Sequence, residues 1–325
     1  MEKFPLNQKE SGINRVVGFD SEKEESILQY FKDKFENNTI SFGEKEKNPE
    51  LQEMISRTNE SFKVFLEDYG IEAVKIASEN IHIIDLEQFT PEDLQRMKKH
   101  FGTDYGFHSS FKQGIGVFKD YDTSKLSFLQ TLVHEMMHLQ SFGSFQVSSK
   151  ESAEMTLKKD NDIANFNIRR SGFSVGTLDG KRLLFEKIDE SVITELQIRF
   201  EKQHMLDWPE IREDLEERDK NIKLFAEEKN SSTEDLNRNV ATITIDSSGK
   251  YKLKSYPYYE DRRSFNSLLD DLYKKNTDDF ASREDVFKLF AEASLKGSLL
   301  PVARLIEKTF GKGSFRRLGE VTADK

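Results

Sequence analysis

Apolar positions recur at helical spacing through most of this chain. Ile27, Leu28, Phe31 and Phe35 mark one helix over residues 21–36. Leu51, Met54, Ile55, Phe62, Phe65 and Leu66 mark a second, opened by Pro49 and stopped by Gly70. Short apolar or alternating runs predict strands at 39–42, 74–76, 81–84 and 114–119. A helix starts at Thr90-Pro91 and ends near Phe101-Gly102. After it comes Thr131-Leu-Val-His-Glu-Met-Met-His-Leu-Gln140, within a helix that Asp122, Thr123 and Ser124 can cap and that ends near Ser141. Leu126, Leu129, Leu132, Val133, Met136, Met137 and Leu139 make this helix apolar nearly all round, which predicts burial. Two His and a Glu inside such a helix need partners, because an unpaired polar group in an apolar interior is costly.

Further along, Ile168–Val175 and Lys181–Phe185 flank Asp179-Gly180 as a hairpin. A helix follows over 186–203, with Ile188, Val192 and Leu196 on one row and Glu186, Glu190, Thr194 and Gln197 on the adjoining polar row. Trp208-Pro209 breaks the chain before a charged helix at 210–229 with a solvated face. Residues 230–233 read as a loop, and 240–245 with 250–253 as a second hairpin. Three helices close the chain at 263–275, 282–295 and 302–310, with Gly311–Ser314 a helix cap and turn. The pattern predicts a helix-rich α+β fold in three parts: an N-terminal region at 1–100, a core at 101–229, and a hairpin with helices at 230–325.

Charge and composition narrow the function. The 325 residues carry a net charge of −10, which disfavours a nucleic-acid partner and a stable contact with anionic lipid. No window has the length of a membrane span. The first residues, Met1–Asn7, lack a basic stretch followed by an apolar run, so no signal peptide is expected. Cysteine is absent, in keeping with a cytoplasmic protein and leaving no thiolate to bind metal.

The chemistry converges on His134-Glu135-x-x-His138. Residues four apart share a helix face, so both imidazoles can reach one metal ion, and Glu135 sits beside it as a general base for water. This is the zincin signature. The third ligand separates the classes. The metzincin pattern needs Gly and His where this chain has Ser141 and Ser144, and the deformylase pattern needs a Cys ligand. A carboxylate on a later helix remains.

On these residues the chain resembles the gluzincin metallopeptidases, the thermolysin-like class. The resemblance covers roughly residues 110–205. It implies one Zn2+ per chain held by His134, His138 and Glu190, with Glu135 as base. It also implies a zincin-like core, in which a small, mostly antiparallel sheet packs on the metal helix and a second helix carries Glu190. Asp189 replaces the usual Asn before that Glu, and Thr194 stands where the class often has a carboxylate. Glu154, Glu151, Glu186 and Glu195 are rival third ligands, and a site with no carboxylate ligand is the remaining alternative. In zincins the strand before the metal helix is commonly an exposed edge that pairs with substrate, here 114–119 with Gly114 and Gly116; the alternative is a bulged structural strand. Such enzymes often use a Tyr or His to stabilise the oxyanion, and Tyr256, Tyr258, Tyr259 and His204 qualify. His82 reads as a structural residue. The implied activity is hydrolysis of a peptide or protein substrate. A selective or toxin-type gluzincin and an inactive, partner-binding zincin module are the alternatives.

Overall fold

A computed structural model of the chain describes residues 11–18, 21–38, 44–93, 95–96, 106–118, 124–147 and 166–323. The fold is α+β. Helices α1 (Ser21–Glu36) and α2 (Pro49–Glu67) form as the apolar spacing predicts. Asn48 caps α2 by accepting from the Leu51 N–H at 2.8 Å, and Pro49 follows in the first turn.

The strands make three small sheets rather than one. Strands β2 (Ile81–Ile83), β3 (Gly106–Ser109) and β4 (Gly114–Val117) run in the order β2-β4-β3, with β2 parallel and β3 antiparallel to β4. A five-stranded sheet has the order β1-β5-β6-β7-β8, from β1 (Arg15–Val17), β5 (Gly143–Val147), β6 (Phe166–Ser171), β7 (Ser174–Gly176) and β8 (Leu183–Leu184). Its β1–β5 pair is parallel and the others antiparallel. Strands β9 (Val240–Ile245) and β10 (Tyr251–Ser255) form the expected second hairpin. The first hairpin is a three-stranded meander instead, because the chain reverses at Gly172 as well as at Gly180, both left-handed.

Two further expectations fail for identifiable reasons. Residues 74–76 pair with side chains, not with a strand. Gln140 accepts from the Val74 N–H at 2.9 Å and donates to its carbonyl at 2.6 Å, and Asn59 does the same at Ile76, with both bonds 2.9 Å. Once those backbone groups are satisfied, no sheet partner is needed. In addition, β4 is the middle strand of its sheet, so it is not an edge. Its glycines serve packing: a Cβ at Gly116 would lie 2.3 Å from the Phe107 ring. Among the described residues β2 and β3 are the outer strands. The strand expected at 39–42, and the end of the helix that begins at Pro91, lie outside the described residues.

Helix α3 (Lys125–Gln140) carries the two His and runs through the main core. Its N-terminus is held by Ser124, which accepts from the Ser127 N–H at 3.2 Å, and by Asp214, which accepts from the Leu126 N–H at 2.9 Å. Asp122 and Thr123 lie outside the described residues. Helix α4 (Glu186–Phe200) lies against α3 and continues into a π-helical turn, Glu201–Met205. Helices α5 (Arg212–Lys229), α6 (Thr233–Asn239), α7 (Tyr259–Lys275), α8 (Arg283–Lys296), α9 (Leu299–Phe310) and α10 (Ser314–Val321) complete the fold. The core joins Phe62 and Phe65 of α2, Met136 of α3, Ile193 of α4, Phe265 of α7 and Phe290 of α8. This cluster takes residues from before 101, from 101–229 and from after 230. Among the described residues no helix is long and apolar enough to cross a membrane.

Candidate metal centre

The centre lies where α3, α4 and β3 meet. His134 and His138 leave α3 one turn apart, and Glu190 comes from the first half of α4. Three donor atoms form a nearly equilateral triangle. His134 Nε2 and His138 Nε2 are 3.2 Å apart, and Glu190 Oε2 lies 3.4 and 3.3 Å from them. A tetrahedral zinc with bonds of about 2.0–2.1 Å has ligand-to-ligand edges of about 3.3 Å, so the triangle has the size of one tetrahedral face. The donor set of two imidazoles and one carboxylate suits zinc as well.

Neighbouring groups prepare each ligand. His134 Nδ1 donates to Gln197 Oε1 at 3.2 Å, which leaves the Nε2 lone pair facing the triangle. Gln197 lies two turns after Glu190 on the same helix face. It supplies the acceptor expected at Thr194, whose hydroxyl instead donates to the Glu190 carbonyl at 2.8 Å. Burial by itself would raise the Glu190 carboxyl, but the His138 and His134 imidazoles outweigh it and hold the group ionised far below its usual range. Asp189 fixes the helix: it is buried and accepts from the Phe173 N–H at 2.6 Å and from the Ser294 hydroxyl at 3.3 Å. Burial, against the pull of nearby His138, pushes its carboxyl up to about 6.

Glu135 turns to the side of the triangle. Burial raises its pKa, and the His134 and His138 imidazoles only partly offset that effect. A carboxyl moved toward neutral pH is suited to taking and returning a proton. The His108 backbone N–H bonds to Glu135, and His108 Nδ1 lies 4.0 Å from Glu135 Oε2. Strand β3 reaches this close because residue 106 is glycine. A Cβ there would lie 2.7 Å from Thr131 Cγ2 and 3.2 Å from Glu135 Cγ. The side chains of Glu190 and His108 keep 21% and 20% exposure, against 8% and 6% for His134 and His138.

Of the rival residues, Glu195 and Glu186 fall elsewhere. Glu195 is bound by Arg199 at 2.9 Å, Arg262 at 3.0 Å and Asn266 at 2.9 Å. Burial would raise its carboxyl, but the two guanidiniums bring it down to about 2. Glu186 is not part of the metal-sized groups among the described residues, and Glu151 and Glu154 lie outside those residues. Of the four expected oxyanion donors only Tyr258 stands at the centre, its ring stacked 6.1 Å from that of His134. Tyr258 is left-handed at φ 55°, a conformation non-glycine residues seldom adopt. Tyr256 is buried and donates to Glu201 at 2.8 Å, which takes its hydroxyl out of play. Tyr259 begins α7 and is exposed. His204 packs between Phe65 and Phe200, where burial lowers its pKa. His82, as expected, is structural: it is buried and meets Glu44 at 2.5 Å.

Sequence reasoning passed over His108 and gave Gln197 no role. For Gln197 the available signal was its spacing of seven from Glu190. For His108 it was the turn between Phe107-His108-Ser109 and Gly114, which makes β3 the partner of the strand before the metal helix. No protein family, curated protein or solved structure matches the chain.

Proposed function

We propose that this chain is a zinc-dependent metallopeptidase of gluzincin type, with His134, His138 and Glu190 holding one zinc ion. The observation that carries this reading is the 3.2–3.4 Å triangle of donor atoms, with the Glu135 carboxylate at its side. Zinc, when bound, supplies a Lewis acid for the water and for the scissile carbonyl. Glu135 takes the proton of the attacking water and returns it to the leaving amine, the role for which its burial prepares it. Gln197 keeps His134 in the tautomer that can bind, and Asp189 keeps α4 at the height that brings Glu190 to the two imidazoles. Tyr258 is the residue assigned to the oxyanion of the tetrahedral intermediate.

Metal analysis and a cleavage screen on a peptide library test the proposal. About one zinc per chain and chelator-sensitive cleavage are expected. Glu135→Gln should keep the zinc and lose activity by roughly 10²–10⁴-fold, the usual contribution of a general base. Protein that binds no zinc when supplied with it, or a Glu135→Gln variant of undiminished activity, would overturn the reading.

A further inference from the structure

Two segments run along the face of α3 that carries the two His. On one side is β3, where Gly106 lies against Thr131 and Glu135, and His108 stacks on His138. On the other side Lys254 of β10 donates from its Nζ to the Ser127 hydroxyl at 3.4 Å. Four residues on, the ring of Tyr258 stacks on that of His134. Ser127, Thr131, His134 and His138 share this face, because seven residues make nearly two full turns and four make little more than one. Thr131 is the one residue of Leu126–Gln140 that is not buried. Between the two segments α3 therefore floors a trough, open at Thr131, that leads from the metal centre to Lys254.

We propose that this trough holds an extended peptide, and that Lys254 takes a carboxylate of that peptide about three residues from the bond that is cut. What is cut rests on the peptidase reading; what is bound rests on the trough. The spacing follows from the helix rise. Ser127 precedes His134 by seven residues, about 10.5 Å along the axis, and an extended chain covers about 3.3 Å per residue. Lys254 is partly buried, so a pair formed there is screened less than one on the open surface. The chain as a whole carries a net charge of −10 and disfavours acidic peptides elsewhere on its surface. A cation at the end of the trough therefore sets the register of the peptide as well as its class. The carboxylate can come from an Asp or Glu side chain or from a chain terminus, since the ammonium meets the same group in each.

The test is cleavage, by the zinc-loaded full-length protein, of capped decapeptides of Ala, Leu and Asn that carry one Glu, moved a position at a time. Gln at the same position is the control, and mass spectrometry locates the cut. Glu about three residues from the cut should be preferred over Gln by roughly tenfold in kcat/KM, between the worth of an exposed ion pair and that of a buried charged hydrogen bond. Lys254→Met should bring that ratio to about one, and Lys254→Arg should keep it. Lys254→Glu should favour Lys at the same position instead. Uncapped peptides whose terminal carboxylate stands there separate the two sources: a gain for these alone makes the ligand a chain terminus, and a gain for internal Glu makes it a side chain. Binding of labelled peptides to the Glu135→Gln protein, read by fluorescence anisotropy, repeats the comparison without cleavage. A carboxylate preference below about twofold at every position, or one unchanged in both Lys254→Met and Lys254→Glu, overturns the proposal. Lys254-dependent binding in a protein that cleaves none of the peptides overturns the peptidase reading and leaves the trough standing.

Discussion

Replacing Gln197 by Leu should loosen zinc without disturbing the fold around it. The His134–Gln197 bond is buried at both ends, with 6% and 2% of the residues exposed, so water does not readily take over the lost acceptor. Leaving a buried N–H unpaired costs about 1–3 kcal/mol, which corresponds to a factor of roughly 5–150 in an equilibrium constant. His134 can avoid that cost by moving its proton to Nε2, but Nε2 is the atom that faces the triangle. Either way the penalty falls on metal binding, and a loss of about 10–100-fold in zinc affinity is expected, the range found when such supporting acceptors are removed. Gln197→Glu, which keeps an acceptor, should retain affinity. Chelator competition measures the zinc constant, and thermal melting of the metal-free variant shows whether the helix pair survives. Zinc affinity within twofold of wild type in a folded Gln197→Leu protein would refute the assignment of His134 as a ligand through Nε2.

Three other outcomes follow from the same geometry. Gly106→Ala places a methyl 2.7 Å from Thr131 Cγ2 and 3.0 Å from the Gly116 carbonyl; stability should drop by about 1–3 kcal/mol, activity should fall further as Glu135 shifts, and Thr131→Ser should recover part of both. Tyr258→Phe should lower kcat with zinc content unchanged, whereas Tyr259→Phe should alter neither, as steady-state kinetics and metal analysis would show. Glu195 has a folded pKa lowered from 4.5 to about 2, so its contribution of about 3 kcal/mol is fully present above about pH 4.5 and is lost as pH falls toward 2; urea unfolding of wild type and Glu195→Gln should converge across that window.

What could be read from the sequence follows from how far each contact reaches along the chain. His134, Glu135 and His138 needed only the helix repeat, because four residues bring two side chains onto one face whatever surrounds them. Glu190 needed the resemblance to the gluzincin glutamate helix, with its place on a polar row as support; in the structure its Oε2 lies 3.4 and 3.3 Å from the two imidazoles. Strand readings failed where side chains replaced a sheet partner, as Asn59 and Gln140 do along 74–76. Helix α6 escaped notice because Leu236 is the one apolar residue among its seven, too few to show a period, and Ser232 marks its start by accepting from the Asp235 N–H at 3.2 Å. The charged helix at 210–229 reads as having a solvated face, yet Arg218 turns inward to pair with the buried Glu201, which also binds Tyr256 and Gln130. Composition cannot reveal such a pair, because one inward guanidinium leaves the average of a polar helix unchanged.

That buried cluster also explains why one tyrosine among three reaches the centre. Glu201 receives the Tyr256 hydroxyl at 2.8 Å and the Gln130 amide at 2.9 Å, and Gln130 lies one turn before His134 on α3. Tyr256 is thereby tied through Glu201 to α3, and its N–H is held by the Asn239 carbonyl at 2.9 Å. Only three residues later α7 begins. Its first turn is anchored by Arg262, whose N–H bonds to the Tyr258 carbonyl at 2.8 Å and whose guanidinium is pinned to Glu195. Between an anchored Tyr256 and an anchored helix the intervening chain has little choice of path, and Tyr258 takes the left-handed conformation that joins them. The same constraint carries its ring over His134. A strained backbone kept in place by two buried carboxylates, Glu201 on one side and Glu195 on the other, is thus the physical cause of the placement, and neither carboxylate is near Tyr258 in sequence.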